Sequence, residues 1–156
     1  MPHPTRIRTA TANDLERIVE LENLCFPKEH AYSRRQLRYL LTKANSTVFV
    51  ETSKKVIRGF LVILYREGTT VAGIETINVD PAHQKKGIGQ CLLNSAEEHL
   101  RKKGIRKIRL EVAITNQAAI ILYEHAGFQK IELLRHYYHY YHEGSRDAYR
   151  MVKELR

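Results

Sequence analysis

At 156 residues, 43% hydrophobic and 28% charged, with eight glycines and four prolines, the chain has the length of one domain and a near-average globular composition, which excludes disorder or a fibrous repeat as its main content. The net charge of +9 implies attraction to anions, and nucleic acid, an acidic peptide or a phosphorylated cofactor would each satisfy it. No apolar run approaches the ~18 residues that cross a bilayer, the opening MPHPTRIR lacks a secretory h-region, and Cys25 and Cys91 form no CxxC pattern, so the expectation is a cytoplasmic protein without membrane span, disulfide framework or zinc cluster.

In chain order, Ile7 sits in a short strand-like stretch, after which Leu15, Ile18, Val19, Leu21 and Leu24 recur at helical spacing. Thr11 or Asn13 can cap that helix, Asp14 suits its first turn, and Pro27 ends it. Ser33 caps a second helix with the stripe Leu37, Leu40 and Leu41. The runs 47–51 and 57–65, separated by Lys54-Lys55, read as an antiparallel hairpin, and a third β run, 71–79, follows the Glu67-Gly68 turn. From Lys86 the pattern is helical again, with Ile88, Cys91, Leu92, Ala96 and Leu100 on one face and Gly104 as the stop. Residues 105–113 alternate as a half-buried strand, 116–126 form a short helix ended by Gly127, and 128–134 and 147–155 close the chain as strands around a polar turn containing Gly144. The expected order is β-α-α-β-β-β-α-β-α-β-β.

The most informative segment, Val79-Asp80-Pro81-Ala82-His83-Gln84-Lys85-Lys86-Gly87-Ile88-Gly89-Gln90, joins a strand to a helix. Gly87 and Gly89 let the backbone approach a ligand closely, and the first amides of a helix have no internal partners, so an anion can be held there by N–H groups and the helix dipole. The segment reads as a pyrophosphate cradle, with Lys85, Lys86 and one of Lys102 or Lys103 adding charge; an ordinary tight turn fits the same pattern. Neither GxxxxGK(S/T) nor GxGxxG is present, which sets aside a Walker A loop and a dinucleotide fingerprint.

Gln84-Lys85-Lys86-Gly87-Ile88-Gly89 resembles the (R/Q)xxGx(G/A) acetyl-CoA loop of the GCN5-related N-acetyltransferase (GNAT) superfamily. Leu110-Glu111-Val112, Thr115-Asn116, Ala118-Ala119-Ile120, Leu122-Tyr123 and Gly127-Phe128 look like its remaining blocks in order. Tyr137-Tyr138, Gly144, Asp147-Ala148-Tyr149 and Met151 are similar to protein N-terminal acetyltransferases, in particular the RimI-type ribosomal-protein alanine N-acetyltransferases. The resemblance is strong over 75–152 and weaker over 5–65, where Phe26-Pro27 and Tyr32-Ser33 are the clearest echoes. It implies an α/β (α+β) GNAT fold: a single domain over 1–156 with a mixed central β-sheet and helices on both faces.

The resemblance also implies roles. Ile77, Asn78 and Val79 would pair with the pantetheine amides of acetyl-CoA; Gln84, Lys85, Lys86, Gly87, Ile88, Gly89 and Gln90 would hold the pyrophosphate; Asn116 would hydrogen-bond the cofactor arm. Glu111 corresponds to the general base, and Tyr123, beside the cofactor, to the acid that protonates the departing thiolate. The chemistry suits both. Attack on a thioester needs a neutral amine; an α-amino group has a pKa of about 7.7–8.0 against about 10.4 for lysine, so a carboxylate base suffices for a protein N-terminus. A thiolate, from a thiol of pKa about 8.5, can take its proton from a phenol or from solvent. Periodicity alone reads Glu111 as a solvated strand charge and Tyr123 as packing; their places in the family blocks carry the functional reading. Glu75 is a reserve base.

In His136-Tyr137-Tyr138-His139-Tyr140-Tyr141-His142, three histidines at i, i+3 and i+6 share a face only in a helix, and Glu143 is the one further ligand nearby, so no metal is expected. The mixture could also stack single-stranded RNA. The resemblance instead implies a loop in which Tyr137 or Tyr138 lines the entry for the acceptor's first residues. The leading reading is acetyl transfer to a protein N-terminal α-amine, with a ribosomal protein among the candidate acceptors, by direct attack in a ternary complex, in a monomer or homodimer with no membrane partner. The rivals are acetylation of lysine or a small amine, and a non-catalytic acyl-CoA or RNA-binding module. Neither cysteine stands in a nucleophile setting.

Overall fold

The computed structural model describes residues 6–156. Eleven principal elements follow one another: β1 Arg6–Thr9, α1 Leu15–Cys25, α2 Arg34–Thr42, β2 Ser46–Ser53, β3 Val56–Tyr65, β4 Val71–Val79, α3 Ile88–Lys102, β5 Lys107–Ala113, α4 Gln117–His125, β6 Gln129–Leu134 and β7 Ala148–Glu154. The order is the expected one. Thr11 caps a 3-10 turn, Ala12–Asp14, that leads into α1, and the Asp14 side chain accepts from the Thr11 amide in turn. Ser33 and Gln36 form the same reciprocal pair at the start of α2.

The seven strands form one mixed sheet in the order β1-β2-β3-β4-β5-β7-β6. Only β4 and β5 run parallel, and they pair only at Val71 with Lys107, Ala72 with Ile108 and Gly73 with Arg109. Beyond that point the strands separate. The cause is written into β4: Val62 of β3 faces Thr76 while Ile63 faces Ile74, so Glu75 is an extra residue that bends its strand. The sheet therefore opens into a wedge at its middle, with Glu75 at the opening.

Helices cover both faces. On one, α3 buries Leu92, Leu93 and Leu100 against Leu61, Ile63, Ile108, Leu110 and Met151. On the other, α1 and α2 bury Ile18, Leu21 and Leu37 against Val50, Phe60 and Val62. Full burial of such side chains contributes roughly 1.5–3 kcal/mol each. The second pair of helices packs on β2, β3 and β4, leaving the outward face of β5, β7 and β6 uncovered.

Three elements depart from the sequence expectation by two residues at one end, and others by a single residue. The first strand of the hairpin runs from Ser46 to Ser53, past 47–51, because Ser46 still pairs with Leu64, and Thr52 and Ser53 with Ile57 and Val56, on the facing strand. The helix expected from Lys86 begins at Ile88, since Lys85 and Gly87 lie at φ 64° and 80°, outside the helical region. The strand expected from 105 begins at Lys107, because the Ile105 amide still bonds to Leu100 O at the end of α3.

Candidate active site

Because β4 has no partner beyond residue 73 on its β5 side among the described residues, alternate backbone groups over 74–79 face the wedge. A groove of about 560 Å³ runs along this edge. Ile77, Asn78 and Val79 form one wall, Gln84, Lys85, Gly87, Ile88, Gly89 and Gln90 form its end, and Asn116 with Leu122 stand opposite. The backbone amides of residues 85–90 have no protein acceptor among the described residues. With Gly87 in the left-handed region as the cap of α3, they form a ring of donors at the positive end of a helix dipole. Asn116 Oδ1 accepts from the Ala119 amide 3.2 Å away and caps α4, leaving its NH2 as a donor.

Two of the expected cofactor residues sit differently. Lys86 is off the groove wall, its Nζ 3.4 Å from His83 Nδ1. The Asn78 side chain turns inward, donating to Glu22 Oε1 at 2.7 Å, so only its backbone can serve the groove.

Past Ile77 the groove meets a cavity of about 150 Å³ walled by Glu22, Tyr32, Glu75, Glu111, Tyr123 and Tyr138. The structure thus brings Glu111, Tyr123, Glu75 and Tyr138 to one place from β5, α4, β4 and the 135–147 loop. Glu111 Oε2 accepts from Arg150 Nε at 3.0 Å, and Oε1 lies 3.5 Å from the Tyr137 hydroxyl. Tyr32 donates its hydroxyl hydrogen bond to Glu75. Tyr123 is buried, and desolvation pushes its phenol pKa up, which keeps it a neutral donor. Tyr138 and Tyr32 are pushed up as well, first by burial. Tyr137, 44% exposed, stands at the mouth, edge-on to Tyr138.

The sequence reading missed Glu22 and the cover of the cavity. Glu22 is 1% exposed, accepts from the Tyr32 amide at 3.0 Å and from Asn78, and has its pKa raised by burial. Its signal was a carboxylate four residues after Ile18, on the apolar side of α1. The cover is a stack of rings: His30 from the α1–α2 loop lies 4.1 Å from the Tyr140 ring and 4.3 Å from His142, which packs 4.3 Å from Tyr138. The 136–142 segment is not helical, so its histidines do not share a face. No group of three or more His, Cys, Asp or Glu among the described residues is placed to hold a metal ion. Cys25 donates to Val79 O, and burial, followed by the nearby Glu22 charge, pushes its thiol up to about 11. Such a thiol is a poor nucleophile at neutral pH.

The sequence profile of the Acetyltransferase (GNAT) family matches residues 15–128. The chain belongs to this family. As a GNAT protein it is 31% identical over 153 residues to the N-alpha-acetyltransferase RimI of Mycobacterium tuberculosis, with 97% of this chain and 93% of that one covered. Over 67 residues it is 42% identical to the ribosomal protein bS18-alanine N-acetyltransferase of Escherichia coli, covering 43% of this chain and 45% of the relative. The chain spans 62% of the length of a further relative, an N-acetyltransferase of Methanocaldococcus jannaschii. The crystal structure of the ribosomal-protein-S18-alanine N-acetyltransferase from Escherichia coli superposes with a TM-score of 0.87 at 26% identity, over 97% of this chain and 94% of that one. The GNAT fold, a mixed sheet with helices on both faces, is the one expected. No helix among the described residues is long and apolar enough to cross a membrane.

Proposed function

We propose that this GNAT protein transfers the acetyl group of acetyl-CoA to the α-amino group of a protein N-terminus, with alanine-starting acceptors the first to test. One observation carries this reading: the donor groove and a small, covered cavity meet at Ile77, so a thioester lying along β4 would present its carbonyl beside Glu75, Glu111 and Tyr123. The residues fit acetyl-CoA. Free amides at 85–90 and the Asn116 NH2 supply donors for an anionic, amide-rich arm, and the unpaired edge of β4 can bond that arm as a strand would. Acetyl-CoA, when bound, supplies the activated acyl group.

The acceptor amine enters the cavity and loses its proton to a carboxylate, Glu111 directly or through water, with Glu75 as the second candidate. Attack of the neutral amine on the thioester carbonyl forms the C–N bond, and the C–S bond breaks. Tyr123, kept neutral by burial, donates a hydrogen bond to the departing sulfur. Full proton transfer from a phenol above pKa ~10 to a thiolate of pKa ~8.5 is uphill, so stabilisation of the sulfur is its main contribution. No acyl-enzyme is formed, consistent with the protonated Cys25.

Tyr32, Tyr138 and the exposed Tyr137 narrow the way in, which favours an unbranched N-terminal residue over a bulky acceptor. The test offers labelled acetyl-CoA with short peptides differing in first residue, beside free lysine and polyamines. Transfer confined to peptide α-amines is expected; transfer to lysine or polyamines alone, or no uptake of coenzyme A by folded protein, overturns the reading.

A further inference from the structure

On the uncovered face of the sheet, opposite α3, the cavity continues into an open groove of about 530 Å³, with which it shares Glu75 and Glu111. We propose that this groove takes the acceptor's residues beyond the first few and selects acidic side chains there. The proposal rests on the N-terminal acetylation reading and names the acceptor class within it.

The groove has a charge gradient. Its inner end carries the carboxylates Glu75 and Glu111, suited to an incoming ammonium group. Its outer end, where β4 and β5 are still paired, carries Arg66, Lys107 and Arg109. Of these, Arg109 shares the fixed carboxylate of Glu111 with Arg150, while Lys107 and Arg66 have no fixed anion among the described residues. Arg150 is shared between Glu111 and Glu132, each at 3.0 Å, which consumes it. Arg109 leans toward Glu111 at 3.6 Å with 41% of its side chain exposed. Lys107 meets only Glu154, 3.5 Å away and 70% exposed, a surface pair of the kind that contributes little and exchanges partners readily. Arg66 has no ion pair among the described residues.

Distance sets the register. Lys107 lies four residues before Glu111 on β5, about 13 Å at ~3.3 Å per residue. An extended peptide advances at a similar rate, so with its amino group at Glu111 its fourth or fifth residue comes level with Lys107 and Arg66. Val71, Val152 and Ile131 give the groove an apolar floor between the charges, which suits a polypeptide. Acidic side chains at those positions would gain two or three charge contacts, and basic ones would meet repulsion.

The experiment uses the full chain, labelled acetyl-CoA and three peptides that all begin with alanine and differ only at positions three to five, which are glutamate, serine or lysine. The expected order of kcat/KM is glutamate, then serine, then lysine, with about tenfold between the extremes at low salt, carried mainly by KM and shrinking toward unity near 1 M salt, where the screening length is ~3 Å. In the Arg66→Glu, Lys107→Glu double variant the order reverses. Arg66→Glu alone, on an exposed turn, narrows the ratio and serves should the double variant not fold; acetyl-CoA uptake reports folding for both. Equal rates for the three peptides, a preference for lysine, or an unchanged order in the variants overturns the acidic-acceptor proposal while leaving N-terminal acetylation standing. No transfer to any of the three by protein that still binds acetyl-CoA overturns both.

Discussion

Arg150 of β7 and Glu111 of β5 are direct register partners, and Arg150 Nε lies 3.0 Å from Glu111 Oε2. The cation fixes the carboxylate at the mouth of the wedge through Oε2, and Oε1 meets only the long 3.5 Å contact from the Tyr137 hydroxyl, which a water or an amine can replace. Glu111→Gln is expected to lower kcat about 10- to 100-fold, within the usual span of general-base effects, with the KM for acetyl-CoA nearly unchanged. Glu75→Gln, which keeps an acceptor for Tyr32, is expected to cost less. Steady-state kinetics of both variants decide the assignment: a large loss in Glu75→Gln alone moves the base to β4.

Tyr123→Phe is expected to reduce kcat by no more than about tenfold, because solvent or the amine's own proton can serve the sulfur. Burial already holds this phenol neutral, so the pH profile of kcat should be unchanged in shape. A loss above a thousandfold would assign Tyr123 the obligatory proton.

Two glycines of the 84–90 loop carry different constraints. A Cβ at Gly89 would stand 3.1 Å from Leu122 Cδ2, a side-chain end that can move, whereas Gly87 has open space but φ 80°. Gly87→Ala should therefore lose about 1 kcal/mol of stability through backbone strain, and Gly89→Ala less. Both should weaken acetyl-CoA binding by about tenfold, because the loop amides shift or become covered. Calorimetric titration with thermal unfolding separates the two effects; unaltered cofactor affinity in Gly87→Ala would detach the loop from the diphosphate.

Glu22 gives a pH prediction. Burial raises its pKa in the folded state above the ordinary 4.5, so the folded protein holds this proton more tightly than the unfolded chain. Stability from this group is complete below about 4.5 and is lost as pH rises through the raised folded value. Glu22→Gln removes that loss, while giving up one of the two acceptors used by the Tyr32 amide and the Asn78 NH2, a cost that does not vary with pH. The variant's stability relative to the wild type should improve between pH 4 and 7, measured by denaturant unfolding at each pH. A constant difference over that range would mean that the carboxylate is not desolvated.

With its thiol pushed up to about 11, Cys25 is ionised in about one molecule in a thousand at pH 8. Alkylation at that pH should be slow, and Cys25→Ala should keep kcat within about threefold. Mass spectrometry after mixing with acetyl-CoA alone should show no acetyl adduct on Cys25; such an adduct formed at a catalytic rate would replace direct attack with a two-step route.

Much of the fold was legible because local pattern and tertiary role agree: Ser33 and Gln36 cap α2, Ile108, Leu110 and Val112 alternate inward, and Gly87 marks the turn into α3. The candidate site was legible where motif spacing marks backbone geometry, as in the turn at 84–90, and illegible where side chains meet across the sheet. Nothing local shows that Asn78 turns away from the groove, or that Lys86 leaves it for His83.

From the residues alone came the element order, the amide-rich loop, the family and the short list of acids and phenols. The three-dimensional structure alone decided that the Glu75 bulge parts β4 from β5, that Arg150 clamps Glu111, that Glu22 is buried in the wall of the small cavity, and that the outward face of β5, β7 and β6 stays bare with its cations together. The reason is one of range. Caps, periodicity and turns are set by neighbours within a few positions, whereas these contacts join residues 39 and 56 positions apart and exist only once the sheet has brought them to one edge.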